Sequence, residues 1–130
     1  MSDLHNYTCI AHRGASGYEP ENTLRSFSRA IELNCSWIEL DVHMADDYIM
    51  VIHDEDLSRT TNGKGKISDY SYDYLRKLDA GQGQSIPTLP EVLSLVSHRA
   101  RVNIELKGLG TAKPVCSLLK ELSWGPQEFL

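Results

Sequence analysis

Four short apolar runs in this chain each finish in charge. "YTCIAH" runs into His12 and Arg13, and "YIMVIHD" ends on His53 and Asp54. "RVNIELK" ends on Glu105 and Lys107. In "WIELDVHM" the alternation itself is informative: Ile38, Leu40 and Val42 fall on one side, while Trp37, Glu39, Asp41 and His43 fall on the other. A period of two with β-branched and aromatic residues is the signature of strands. "RVNIELK" repeats it, with Val102, Ile104 and Leu106 opposite Asn103, Glu105 and Lys107.

Helical patterns lie between these runs. In "ENTLRSFSRAIELN", Leu24, Phe27, Ala30 and Ile31 share a stripe at three-to-four spacing, with Asn22 suited to cap it and Asn34 to stop it. "SYDYLRKLDAG" reads as a short helix stopped by Gly81, and "TLPEVLSLV" opens with a Thr88–Glu91 capping box. A last helix is expected from about Lys113 to Leu122. The turn-rich "TTNGKGKISD" belongs to a long excursion between the third and fourth strands. Alternating strands and helices imply an α/β fold with a parallel sheet, and such folds collect catalytic groups at the carboxyl ends of their strands. All four charged strand ends would then meet in one place.

Bulk properties narrow the function. At 130 residues the chain makes one domain, and 41% hydrophobic with 24% charged residues is a globular composition. A net charge of -5 with no basic run argues against nucleic acid as partner. No stretch approaches the ~20 apolar residues of a membrane span. The start, "MSDLHNYTCIAHRG", is unlike a signal peptide. Cys9, Cys35 and Cys116 share no metal-binding spacing and are read as reduced, buried packing residues, which fits a cytoplasmic protein.

The strand-end residues suggest specific chemistry. Glu39 and Asp41, two apart, place like charges on one side, a costly arrangement that a hard divalent cation relieves. Glu105 at the same level is a natural third ligand, and a solvated strand end or an ion pair to Lys107 is the plain alternative. His12 and His53 suit proton transfer near neutral pH. His43 is read as a supporting or surface residue, and His5 and His98 as exposed. A guanidinium and an ammonium, Arg13 and Lys107, would cradle a tetrahedral anion such as phosphate. No GxSxG, P-loop or dinucleotide fingerprint competes.

Taken together, "HRGASGYEPENT", "ELDV", "VIHD" and "ELK" resemble, in order and context, the glycerophosphodiester phosphodiesterase family. "LSRTTNGKGKISDYSYDYLRKLDAG" and "IPTLPEVL" also resemble that family's insertion and following helix. The resemblance implies a (β/α)₈ barrel that hydrolyses glycerophosphodiesters to an alcohol and glycerol 3-phosphate with Mg²⁺ or Ca²⁺. It implies His12 as base and His53 as acid, Glu39, Asp41 and Glu105 as metal ligands, and Arg13 and Lys107 as phosphate contacts. Glu21 would brace Arg13 and its loop, and Asp54 would orient His53. Asp47 stands where the family usually has glycine after the turn aspartate.

A complete barrel takes about 250 residues. Residues 1–130 therefore match the N-terminal part of one such domain, about its first four β/α units, with an insertion at about 55–85. "SWGPQEFL" falls where a fifth strand should begin. Such a half barrel is expected to expose sheet edges and an apolar interior, which self-association would cover. Two other functions stay open: a phospholipid phosphodiesterase of the lysophospholipase D kind, and an inactive metal- or phosphate-binding half-barrel.

Overall fold

The structure, a computed structural model, describes residues 7–130, so His5 lies outside the described residues. The chain runs β1 (Ile10–His12), α1 (Leu24–Glu32), β2 (Trp37–Ala45), β3 (Tyr48–Val51), α2 (Tyr72–Lys77), α3 (Leu89–Val96), β4 (Arg101–Leu106) and α4 (Ala112–Glu121). β2 is the hub. β1 pairs parallel with its first half, Ile10 against Trp37 through His12 against Glu39. β4 lies parallel along its other edge, from Trp37–Arg101 to Val42–Leu106.

The third strand departs from the expected parallel order. β3 runs antiparallel to β2, pairing Val42 with Val51 and Ala45 with Tyr48. The reason is the turn: Asp46 and Asp47 have φ of 49° and 64°. Two residues with positive φ make the tight turn of an antiparallel hairpin, whereas a parallel return needs a crossover of a dozen residues or more. The expected helix ends need smaller adjustments. Thr23, not Asn22, caps α1, in a reciprocal box with Ser26. α2 ends at Leu78, where ψ of 147° leaves the helical region, and Gly81 instead sits in the following turn against Pro20. Asn34 does adopt the left-handed φ of 58° expected after α1.

The main core lies between the parallel strands and the helices. Ile38, Leu40 and Val42 of β2 and Val102 and Ile104 of β4 join Phe27 and Ala30 of α1, Leu89, Val92, Leu93 and Val96 of α3, and Val115 and Leu119 of α4. This is the strand-in, helix-out layering of a (β/α)₈ barrel. The opposite, inner face is polar, not apolar as expected, because alternation sends Glu39, Asp41, Asn103 and Glu105 there. Nor is the far edge of β4 wholly free. Glu128 accepts the Val102 N–H at 2.9 Å, and Leu130 accepts from Ile104 at 2.8 Å, so the last residues start a further parallel strand.

A second apolar cluster, with Met50, Ile52, Leu57, Ile67, Leu75 and Ile86 at its heart, organises the long segment between β3 and α3. The cysteines are not the buried packing residues expected: Cys9 and Cys116 are exposed and Cys35 is half-buried. No helix among the described residues is long and apolar enough to cross a membrane.

Candidate active site

β1 ends at His12, and the next two residues, Arg13 and Gly14, have φ of 56° and 78°. This left-handed pair reverses the chain tightly, and a side chain at position 14 would collide with Ser26 of α1. The reversal aims the Arg13 N–H at Glu39 Oε2, 3.0 Å away. Its carbonyl accepts from the Asn22 N–H at 2.9 Å and from Ser26 Oγ at 3.1 Å. The first loop is therefore fastened to both β2 and the start of α1. Asn22 is freed from capping, with φ of 54°, and its Nδ2 donates to Asp41 Oδ2 at 3.0 Å.

The carboxylates expected as ligands come together. Glu39, Asp41 and Glu105 each offer an oxygen within 4.8 Å of the others. Asp41 is 0% and Glu39 7% exposed, yet Asp41 Oδ1 and Glu39 Oε1 have no hydrogen-bond partner. Burial, then the charge of Asp41, pushes the Glu39 carboxyl up to about 7, against the pull of the Arg13 N–H. Buried acceptors without donors and crowded like charges match the oxygen donor set of a hard divalent cation. Glu105 also meets the alternative partner: Lys107 Nζ lies 2.8 Å away and holds its carboxyl below the usual range. Ligand candidate and phosphate candidate are thus an ion pair here.

His12 stands at the mouth, its side chain 67% exposed and Nε2 3.8 Å from Glu39 Oε2. Arg13 reaches inward, with Nε 3.6 Å from Asp41 Oδ2 and Nη1 on both Glu21 oxygens at 3.3 and 3.2 Å.

His53 closes the other side. Its Nδ1 lies 2.6 Å from Asp54 Oδ1, and its backbone carbonyl is 2.9 Å from Nε2 of the buried His43. Asp54 in turn accepts from Arg59 Nε at 2.7 Å, and Glu21 accepts from Arg59 Nη2 at 2.7 Å. The Arg59 guanidinium, followed by His53, holds the Asp54 carboxyl far below its ordinary value. Burial opposes ionisation of Glu21, but Arg59 and Arg13 outweigh it and keep that carboxyl low. A continuous chain of charge therefore runs His53–Asp54–Arg59–Glu21–Arg13–Asp41.

Sequence reasoning missed two members of this site, Asn22 and Arg59. Asn22 has the composition of a cap, and only Thr23 beside it signalled a rival. Arg59 lies in a turn-rich polar stretch, and its partners are 5 and 38 residues away. His43, open between a supporting and a surface role, takes the supporting one: it is buried on the Glu39–Asp41 face of β2 and meets the His53 carbonyl. His98 is partly exposed, as expected, but it pairs with Glu128 at 2.7 Å and stacks on Trp124.

An incipient β/α barrel carries three clustered carboxylates, two histidines and two cations where its strands end. The three carboxylates could hold a metal ion, at the strand ends where barrel enzymes collect their functional groups. Residues 12–123 match the model of the glycerophosphoryl diester phosphodiesterase family, and the chain belongs to that family. A glycerophosphodiester phosphodiesterase of Caldanaerobacter subterraneus is 48% identical over 107 residues, which are 75% of this chain and 44% of that protein. The crystal structure of the glycerophosphodiester phosphodiesterase from Agrobacterium tumefaciens superposes with a TM-score of 0.87 at 36% identity, covering 94% of this chain and 55% of that one. An Oleispira antarctica phosphodiesterase, solved with its product sn-glycerol-3-phosphate, matches with a TM-score of 0.81 at 36% identity, over 95% of this chain and 55% of that chain. The chain spans about half the length of these relatives, and its fold is the first part of their (β/α)₈ barrel.

Proposed function

We propose that these residues are the N-terminal part of one glycerophosphodiester phosphodiesterase domain, with 55–85 as its insertion. The reaction is hydrolysis of a glycerophosphodiester to an alcohol and glycerol 3-phosphate. The observation that carries it is the Glu39–Asp41–Glu105 cluster, its first two carboxylates buried and the third exposed, flanked by His12, Arg13, His53 and Lys107, within a chain of this family.

Each side chain has a task its geometry allows. Arg13 and Lys107 face the cluster and take the phosphate oxygens, loosening their hold on Glu21 and Glu105 as the anion arrives. His12 is exposed enough to meet the attacking hydroxyl, accept its proton and rest the resulting charge beside Glu39 Oε2. Asp54 holds His53 Nδ1, which leaves Nε2 as the atom that hands a proton to the departing alkoxide. Arg59 keeps Asp54 in place, and His43 fixes the His53 backbone. Asn22 keeps Asp41 turned toward the cluster. Glu39, Asp41 and Glu105 would hold Mg²⁺ or Ca²⁺, whose chemistry there is Lewis-acid neutralisation of phosphate charge.

Hydrolysis of glycerophosphocholine, assayed with and without Mg²⁺ or Ca²⁺, tests this. His12→Gln and His53→Gln are each expected to lower turnover by about 10²-fold or more while metal binding persists. Turnover unchanged in either variant would remove that histidine from the reaction.

A further inference from the structure

At the amino ends of β1 and β2, away from the charged strand ends, two thiols meet. Cys9 Sγ lies 3.5 Å from Cys35 Sγ although 26 residues separate them. We propose that Cys9 and Cys35 form a redox-active dithiol that takes a low-molecular-weight disulfide as its oxidant and closes to an intramolecular disulfide.

The backbone places the pair well. Ile10 is registered against Trp37, so Cys9 falls one residue before the ladder and Cys35 two before it. Strict continuation of the pleat would turn the two side chains to opposite faces, so their contact is made where both chains have left the ladder. Cys35 is anchored, its N–H donating to the Ala30 carbonyl at 3.1 Å at the end of α1. Cys9 is exposed and open to an incoming reagent. Burial and the neighbouring Cys9 push the Cys35 thiol up, which assigns first attack to Cys9.

The exchange balances without any other reagent. The Cys9 thiolate attacks one sulfur of oxidised glutathione and expels one glutathione thiolate, leaving a mixed disulfide on Cys9. Cys35 gives up its proton, attacks the Cys9 sulfur and expels the second glutathione thiolate. Two protein thiols are oxidised, and one external disulfide is reduced to two thiols. The product would staple β1, which ends in His12, to β2, which carries Glu39 and Asp41. Cys116, exposed on α4, has no thiol beside it among the described residues and would take up glutathione only as a separate adduct.

The test is incubation of the folded chain with oxidised glutathione, followed by thiol counting and mass mapping of unreduced peptides. With Cys116→Ser in place beforehand, the expected outcome is loss of both remaining thiols. A Cys9–Cys35 peptide lighter by two hydrogens should appear, and dithiothreitol should restore both thiols. Cys35→Ser should instead accumulate a glutathione adduct on Cys9. A persistent Cys9 adduct with Cys35 intact, or no thiol loss at all, would overturn the proposal.

Discussion

On one side of β2, Ile38, Leu40 and Val42 are fully buried against the helices. One residue away each time, on the other side, Glu39, Asp41 and His43 are almost as buried. The apolar side is complete: its atoms need only neighbours, and α1, α3 and α4 provide them. The charged side is incomplete, since Glu39 and Asp41 each keep a buried oxygen without a donor. One strand thus carries a face that stabilises the fold and a face that the fold must tolerate. Residues kept in so costly an arrangement are the ones expected to bind something.

The comparison is sharpest when one residue on each face is changed. Leu40→Ala should cost about 2–5 kcal/mol in urea unfolding, through lost burial and the cavity left behind. Glu39→Gln, next to it, should leave stability unchanged or raise it by about 1 kcal/mol, because a buried charge crowded by Asp41 is removed. A large loss from Glu39→Gln would erase the distinction between the faces.

A smaller effect is expected at Arg59. Its pairs with Asp54 and Glu21 are partly exposed, so Arg59→Ala should change stability by less than about 1 kcal/mol. Affinity for sn-glycerol 3-phosphate, measured by calorimetry, should nonetheless fall about tenfold as Glu21 and Arg13 lose their alignment. Equal affinity would make the Arg59 bridge a surface ornament.

The smallest effect lies outside the site. Glu91 closes the α3 capping box and pairs with Arg76 at 2.8 Å. Burial works against its ionisation, but hydrogen bonds from Thr88 and Arg76 prevail and hold its carboxyl below the usual carboxylate range. A carboxyl depressed on folding contributes stability above its unfolded pKa, and that contribution is lost as pH falls through the folded one. Glu91→Gln should therefore cost about 1 kcal/mol at pH 7, and the gap from wild type should narrow as the pH falls through the carboxylate range.

Much of this was legible in the residues themselves. Period-two alternation separated the two faces of β2 and β4 because a strand has no other way to distribute its side chains. Phe27 and Ala30 announced the buried stripe of α1 by helical spacing. What stayed hidden depended on partners distant in sequence or on competition between neighbours. Arg59 gained its meaning only when Glu21, 38 residues away, reached the same place. Asn22 and Thr23 are both good caps, and the hydrogen bond to buried Asp41 decided between them. The direction of β3 was written in Asp46–Asp47, whose brevity excludes a parallel crossover, although the strand's own composition is silent on direction.

The central claim is that the charged face of β2, completed by Glu105, is a cation site. Calorimetric titration of the folded chain with Mg²⁺ and with Ca²⁺ tests it most directly, beside Asp41→Asn with its circular dichroism unchanged. The account predicts one saturable site for at least one of the two ions, abolished in Asp41→Asn. Binding of equal strength in both proteins, or none in the unaltered chain, would contradict it.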